Sequence, residues 1–148
     1  METLLLPGMD GTGPTLTWMA AAFGAPLFRT RLPDLALRVA LLGADAESED
    51  LRELREVLDS VAPRGLAHRV GEVARVDVTA SFVSSAIPTL YLAGARDRLM
   101  SVAVMNKLKR LRPDIVSYVL DAPHLVLQQA RAEASALVNA FLLPLARE

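Results

Sequence analysis

Residues 88–97 read Pro-Thr-Leu-Tyr-Leu-Ala-Gly-Ala-Arg-Asp, and residues 115–125 read Ile-Val-Ser-Tyr-Val-Leu-Asp-Ala-Pro-His-Leu. Each stretch is a short apolar run, typical of a buried strand, that passes into a loop with an ionisable side chain. The first loop contains Asp97 and the second contains His124. The residues between them have a helical pattern, with Ser101 as the predicted N-cap. The order strand, helix, strand predicts a parallel sheet.

The two ionisable residues are predicted to meet. Because the carboxyl ends of neighbouring parallel strands lie at one edge of a sheet, we expect Asp97 and His124 to be within hydrogen-bonding distance. A carboxylate beside an imidazole fixes the tautomer of the ring and stabilises its protonated form. Taken singly, Asp97 also fits a solvated turn and His124 also fits the start of a helix. Taken together, with one strand-helix-strand unit between them, they favour an acid–base pair.

The amino-terminal segment predicts another strand that leads into a glycine-rich loop. Residues 3–6 are apolar, and residues 7–13 read Pro-Gly-Met-Asp-Gly-Thr-Gly ahead of an amphipathic helical pattern. A strand, a glycine loop and a helix start present free backbone N–H groups to an anion. The loop lacks the Gly-Lys-Ser/Thr of phosphate-binding loops and the Gly-x-Gly-x-x-Gly of dinucleotide-binding proteins. An ordinary strand-to-helix turn is the alternative interpretation.

The rest of the chain predicts one further strand and several helices. Residues 27–32 fit a strand, and Ser48 fits the N-cap of a helix that Pro63 ends. Further helices are expected over residues 35–42, 67–76 and 132–143.

These segments resemble the α/β-hydrolase superfamily, in particular a bacterial branch with the motif Leu-Pro-Gly-Met-Asp-Gly-Thr-Gly and its plant acyl-ester-forming relatives. The resemblance implies that Met9 donates its backbone N–H to an oxyanion, that Asp97 is the catalytic acid and that His124 is the base. Residues 35–76 are similar to the family's helical cap. The implied architecture is a single α/β domain over residues 1–148, with a shortened, mostly parallel sheet.

The nucleophile departs from the family pattern. The family places its serine in a Gly-x-Ser-x-Gly elbow on a strand-to-helix turn, and the sequence contains no such motif. The chain passes from Pro33-Asp34 directly into the cap-like segment, where the family has further strands and the elbow. Ser84 and Ser85 are the least implausible replacements, but they precede the strand of Asp97 and so belong to its amino end.

Two functions are indicated by this pattern. The resemblance implies an ancestral ester or thioester hydrolase, or an acyltransferase, that uses a Ser-His-Asp triad. With the elbow missing, we expect at most trace esterase activity. The alternative is a catalytically inactive remnant that acts as a ligand-binding or dimerising module.

Composition excludes several other classes. The chain has 148 residues, of which 52% are apolar and 22% charged, with a formal net charge of −1. The balanced charge argues against a nucleic-acid-binding protein. The absence of cysteine excludes disulfides and thiolate metal sites, and two histidines are too few for a multi-histidine metal site. The resemblance to the α/β-hydrolases in turn implies chemistry without a metal or a cofactor.

Partners and location are inferred from the same patterns. We expect a small acyl-ester or thioester ligand, no nucleic acid and no membrane span, because no apolar run reaches the roughly 20 residues that cross a bilayer. A signal peptide is not expected, and the interpretation is a cytoplasmic protein. A sheet without its central strands exposes open edges, which predicts a homodimer or larger species.

The remaining histidine and a run of basic residues are expected to have structural rather than functional roles. His68 is expected on the surface or in the cap-like segment. Four residues near the end of the helix that Ser101 precedes are expected to form a solvated face; they are Lys107, Lys109, Arg110 and Arg112.

Overall fold

The computed structural model describes residues 32–147. The strand predicted at residues 3–6, the glycine-rich loop with Met9 and all but one residue of the strand predicted at 27–32 lie outside this range. The described residues fall into two compact units. One comprises Leu32 and residues 55–85, and the other comprises residues 33–54 and 86–147. The single domain over residues 1–148 stays a prediction.

The described residues form helices and two short strands. In chain order they are α1 (Asp34–Leu37), a π-helical turn (Arg38–Leu42), α2 (Ser48–Ser60), α3 (Pro63–Arg75), α4 (Thr79–Ser84), β1 (Leu90–Gly94), α5 (Val102–Leu111), β2 (Val116–Leu120), α6 (Val126–Gln129) and α7 (Arg131–Leu145). Among residues 32–147, no helix is both long and apolar enough to cross a membrane.

The described part of the first unit is helical. Pro63 is expected from the sequence to end a helix, and it instead begins α3, shortly after α2 has ended at Ser60. A proline fits there because the N–H of the first helical residue has no partner within the helix. The helix α4 is not predicted from the sequence; the side chain of Asp77 accepts a hydrogen bond from the N–H of Thr79 at its start, at 2.9 Å. His68 is exposed, as expected.

The second unit contains the predicted parallel strands. β1 and β2 pair in parallel from Leu90 opposite Val116 to Gly94 opposite Leu120. The helix α5 connects them and has Ser101 at its N-cap position, although no side-chain hydrogen bond is formed there. The fold class predicted from the strand-helix-strand order is therefore confirmed, and both loops that continue from the strands emerge at the same edge.

The core of this unit lies beneath the ends of the two strands. Helices α5, α6 and α7 all pack against β1. Leu120 at the end of β2 is 1% exposed. It forms a cluster with Ala122, Val126 and Ala134, against which Leu92, Ala130 and Leu137 are packed. The loop between β2 and α6 is therefore anchored in the core through Ala122.

The π-helical turn is followed by Gly43, whose backbone conformation favours glycine. The N–H of Gly43 donates to the carbonyl oxygen of Arg38 at 2.7 Å, which closes the π-helical turn. Gly43 has a φ of +91°, where a side chain would be strained, and a Cβ here would lie 2.8 Å from Oδ1 of Asp45. The glycine is thus required by the backbone geometry at this position.

Two details of the helix ends differ from expectation. Ser48, predicted as an N-cap, is the first residue of α2, and the side chain of Asp50 accepts the N–H of Glu47 at 3.3 Å. Arg112, predicted on a solvated face, is 4% exposed. It comes directly after the last residue of α5, where its guanidinium turns inward to pair with Asp114 and the carbonyl oxygen of Ile87.

Candidate active site

The loops after β1 and β2 run side by side. We call residues 95–100 the acid loop and residues 121–125 the histidine loop. The N–H of Ala95 donates to the carbonyl oxygen of Leu120 at 2.8 Å, and the N–H of Arg96 donates to that of Ala122 at 3.0 Å. The pairing of the strands is thereby extended beyond their ends, and the two loops are held in register.

The close approach of the loops requires Gly94. A Cβ at this position would lie 2.5 Å from the carbonyl oxygens of both Ala122 and Pro123. Real Cβ atoms essentially never approach backbone this closely, so a larger residue would displace the histidine loop. No expectation from the sequence singles out this glycine. The feature of the sequence that could have indicated it is a glycine at the end of an apolar strand, shortly before Asp97.

The acid loop orients the carboxylate of Asp97. Its Oδ1 accepts hydrogen bonds from the backbone N–H groups of Leu99 and Met100, both at 2.8 Å. Aspartate commonly forms such bonds with the next backbone N–H groups of a turn. The side chain is 6% exposed, so the carboxylate is removed from solvent and its second oxygen is free to face the neighbouring loop.

That second oxygen meets the imidazole of His124. Oδ2 of Asp97 and Nδ1 of His124 are 2.9 Å apart, which confirms the predicted juxtaposition of the two residues. Because an ionised carboxylate only accepts hydrogen bonds, Nδ1 carries the proton and donates. In the neutral ring, Nε2 is then left as the basic atom. The His124 side chain is 32% exposed, so part of the imidazole is accessible to a ligand or to water.

The environment of Asp97 favours its ionised form. Burial raises the pKa of this carboxyl, but opposing effects outweigh it and leave the pKa below its ordinary value. These are the hydrogen bond and charge of His124 and the hydrogen bonds from Met100 and Leu99. The carboxylate is therefore charged at neutral pH, as an acid that orients a histidine base must be.

Of the other predicted site residues, Ser84 and Ser85 belong to the first unit. Met9 lies outside the residues that the structure describes. The hydroxyl of Ser84 donates to the carbonyl oxygen of Ser81 in its own helix, at 3.3 Å. Ser85 lies just past the end of α4, and its N–H donates to the carbonyl oxygen of Phe82 at 3.3 Å. In the part of the chain from residue 32 to 147, no group of three or more His, Cys, Asp or Glu side chains could hold a metal ion.

Curated relatives of the chain are esterases. It is 34% identical over 96 residues to pimeloyl-[acyl-carrier protein] methyl ester esterases from two strains of Xanthomonas oryzae pv. oryzae. The match covers 62% of this chain and 38% of the length of those esterases. The chain thus spans well under half of the relatives it matches. No protein-family model matches it.

Solved structures with a similar fold are hydrolases. An enol-lactonase from Burkholderia xenovorans LB400 has a TM-score of 0.70 at 18% identity, over 89% of this chain and 50% of the lactonase. A hydrolase from Pseudomonas aeruginosa PA01 has a TM-score of 0.63 at 23% identity, over 88% and 51% of the two chains. E-2-(acetamidomethylene)succinate hydrolase has a TM-score of 0.52 at 24% identity, over 55% and 31%.

Each of these neighbours is about two to three times as long as its matching part, because the match covers between 31% and 51% of its length. Over that part, the chain is similar in fold to these hydrolases.

Proposed function

We propose that this chain carries the acid–base half of an ester or thioester hydrolase, with His124 as the base and Asp97 as the acid that orients it. The observation that carries the proposal is the 2.9 Å hydrogen bond between Nδ1 of His124 and Oδ2 of Asp97. The carboxylate is buried and the ring is partly exposed, which is the arrangement needed to hold one ring nitrogen and offer the other.

The chemistry open to this pair is activation of water. Nε2 of His124 takes a proton from water as the oxygen attacks the acyl carbonyl carbon, and the carbonyl becomes a tetrahedral oxyanion. Collapse of that intermediate breaks the bond to the alkoxide or thiolate, which receives the proton from the imidazolium. The products are a carboxylic acid and an alcohol or thiol. By family resemblance, the backbone N–H of Met9 would stabilise the oxyanion.

The substrate class is inferred from the relatives. The curated relatives are named as methyl ester esterases of a pimeloyl acyl-carrier protein, and one fold neighbour is an enol-lactonase. All of these names describe hydrolysis of an ester bond or a related acyl bond. We propose a small acyl-ester or thioester ligand; transfer of the acyl group to an alcohol is the variant of the same chemistry.

The missing elbow limits the rate. Without Gly-x-Ser-x-Gly the sequence offers no positioned serine, so no covalent acyl-enzyme is expected. Triad enzymes that lose a member retain only about 10³–10⁴-fold acceleration over water, from the oxyanion hole and binding. The expected activity is accordingly weak.

The test compares hydrolysis of p-nitrophenyl acetate and butyrate by the full chain and its variants. We expect slow, saturable hydrolysis that is lost in His124→Ala and reduced in Asp97→Asn. His68→Ala is the matched control, because His68 is an exposed histidine on α3, and it should behave as the parent chain. Equal rates in the parent chain, His124→Ala and His68→Ala would contradict the proposal.

A fluorophosphonate probe separates the water route from a serine route. We expect no covalent labelling. Stoichiometric labelling of any serine, together with hydrolysis that depends on His124, would show that the chain uses a rebuilt triad.

The second candidate function is a non-catalytic module of cytoplasmic location that binds an acyl ligand or dimerises. The absence of the elbow motif favours it. Binding of an acyl ester without turnover in any variant would support this candidate over hydrolysis, and light scattering would show whether the module self-associates.

A further inference from the structure

Arg96 connects the two loops of the candidate site by a route separate from the Asp97–His124 bond. Its Nε donates to Oδ1 of Asp121 at 2.8 Å, and its Nη2 lies 3.3 Å from the carbonyl oxygen of the same residue. Its Nη1 donates to both carboxylate oxygens of Asp45, at 2.9 and 3.0 Å. One guanidinium therefore bridges the acid loop, the histidine loop and the segment after the π-helical turn.

The positions of these residues along the chain place the bridge beside the site. Arg96 directly precedes Asp97, and Asp121 begins the loop that contains His124. The bridge thus joins the same two loops as the acid–base hydrogen bond, a few residues earlier in each loop. A shift of the histidine loop would have to break both connections.

The segment around Asp45 contacts the histidine loop from another direction. The N–H of Leu125 donates to the carbonyl oxygen of Leu41 at 3.1 Å. A Cβ on Gly43 would be 3.5 Å from Cγ of Pro123, so this turn packs directly beside the residue before His124. Arg96 thus binds the histidine loop directly through Asp121. Through Asp45 it also binds the turn that packs beside that loop.

Exposure of the bridge argues against a purely stabilising role. The side chains of Arg96, Asp45 and Asp121 are 44%, 68% and 84% exposed, and exposed ion pairs contribute little to folding stability. Such a bridge instead fixes the relative positions of the two carboxylates, because the planar guanidinium offers donors in fixed directions to both at once.

Charge supports the same assignment. The pKa of Asp45 is lowered, first by its own backbone N–H and then by the hydrogen bond and charge of Arg96. The pKa of Arg96 is raised, mainly by the Asp45 hydrogen bond, with a smaller effect of Asp121. The Arg96–Asp45 pair is therefore charged on both sides near neutral pH.

We propose that Arg96 is a positioning residue, which holds the histidine loop through Asp121 and Asp45 so that Nδ1 of His124 meets Oδ2 of Asp97. This inference rests on the proposed function for its catalytic meaning, but the geometry it describes exists whether or not the chain turns over an ester. Lysine would keep the charge and lose the two-sided contact, so the role requires arginine.

The experiment follows the Nδ1–H proton of His124 by NMR in the full chain and in Arg96→Gln, Arg96→Lys and Asp121→Asn. The control is Arg52→Gln, because Arg52 forms an exposed 2.6 Å ion pair with Glu49 within α2. We expect thermal stability close to that of the parent chain in all four variants. The Nδ1–H signal should shift and exchange faster with water in the Arg96 variants and in Asp121→Asn, and stay unchanged in Arg52→Gln.

An unchanged Nδ1–H signal in Arg96→Gln and Asp121→Asn would overturn the inference. Should Arg96→Gln fail to fold, Asp121→Asn still removes one half of the bridge and decides the question. Where hydrolysis is measurable, the Arg96 variants should lose about 10- to 100-fold in kcat with a smaller change in KM, because a misplaced base affects the chemical step. Absence of hydrolysis in the parent chain would contradict the proposed function and leave the NMR test of Arg96 in force.

Discussion

The two ends of the β1–β2 pair each carry an arginine that joins two loops, yet the two arginines are used differently. At the amino end, Arg112 is 4% exposed and binds Asp114, the carbonyl oxygen of Ile87 and, at 3.4 Å, the hydroxyl of Thr89. At the carboxyl end, Arg96 is half-exposed. Arg112 at the amino end is thus shielded from solvent. Arg96 at the carboxyl end stays accessible to solvent, and so does part of the neighbouring imidazole of the candidate site.

This difference is explained by the geometry of parallel sheets. In α/β proteins, ligands bind at the edge of the sheet formed by the carboxyl ends of the parallel strands. Here the loop after β1 carries a buried carboxylate and the loop after β2 a partly exposed imidazole. The amino end has no comparable pair of acid and base in the part of the chain from residue 86 to 147, and its ionic groups tie the start of each strand to the preceding segment.

The largest expected effect comes from adding one methyl group at the carboxyl end. Gly94→Ala places a Cβ 2.5 Å from two carbonyl oxygens of the histidine loop, so the loop must move or the variant is strained. We expect a loss of about 1–3 kcal/mol in the free energy of unfolding, as for overpacked cores, together with loss of the Nδ1–H signal of His124. Urea denaturation and NMR measure the two effects.

The matched control is Gly65→Ala in α3. Among residues 32–147, the nearest atom to a Cβ there is Cγ1 of Val61 at 3.8 Å, and alanine is the better helix former by roughly 0.5–1 kcal/mol. We expect this variant to be as stable as the parent chain or more so. Equal behaviour of the two alanine variants would contradict the tight packing described for the loops.

A smaller effect is expected at low pH, where the carboxylates at the two ends of the strand pair contribute differently to the free energy of unfolding. Both Asp97 and Asp114 have a lowered pKa in the folded chain, Asp97 through His124 and two backbone N–H groups against the effect of burial, and Asp114 mainly through Arg112. A lowered pKa means that the folded state favours the ionised form. The stability it contributes is present above the unfolded pKa of about 3.8 and is lost as the pH falls through the lower folded value.

We therefore expect Asp97→Asn and Asp114→Asn each to flatten the fall in the free energy of unfolding between about pH 4 and pH 2. Asp97→Asn should have the larger effect, because Asp97 is 6% and Asp114 64% exposed. Denaturant titrations across this range measure it. A larger effect for Asp114→Asn would show that the amino end, and not the candidate site, holds the more strongly stabilised carboxylate.

Much of the carboxyl end is predictable from sequence. Two apolar runs, each leading to an acid or a histidine, predict parallel strands, and parallel strands bring the loops at their carboxyl ends together. The proximity of Asp97 and His124 is therefore predictable from the apolar pattern of the two strands and the strand-helix-strand order alone. The sequence also predicts helices over residues 35–42, from Ser48 onward and over residues 132–143, and the structure has α1 with the π-helical turn, α2 and α7 in these places.

Other features depend on contacts that a linear pattern does not contain. The need for glycine at position 94 arises from the carbonyl groups of a loop 28 residues later, at Ala122, which no local motif reports. The burial of Arg112 is not predicted because the basic residues beside it are solvated, and only the turn after α5 directs this one inward. The bridge of Arg96 is not predicted either, because its partners, Asp45 and Asp121, are distant in sequence.

The central claim, that Asp97 and His124 form an oriented acid–base pair, is tested most directly by long-range nitrogen-15 NMR of the His124 ring at about pH 8, where an ordinary imidazole is neutral. We predict a proton on Nδ1, none on Nε2, and redistribution between the two nitrogens in Asp97→Asn. A proton on Nε2 in the parent chain, or a ring spectrum identical in the parent chain and Asp97→Asn, would contradict the claim.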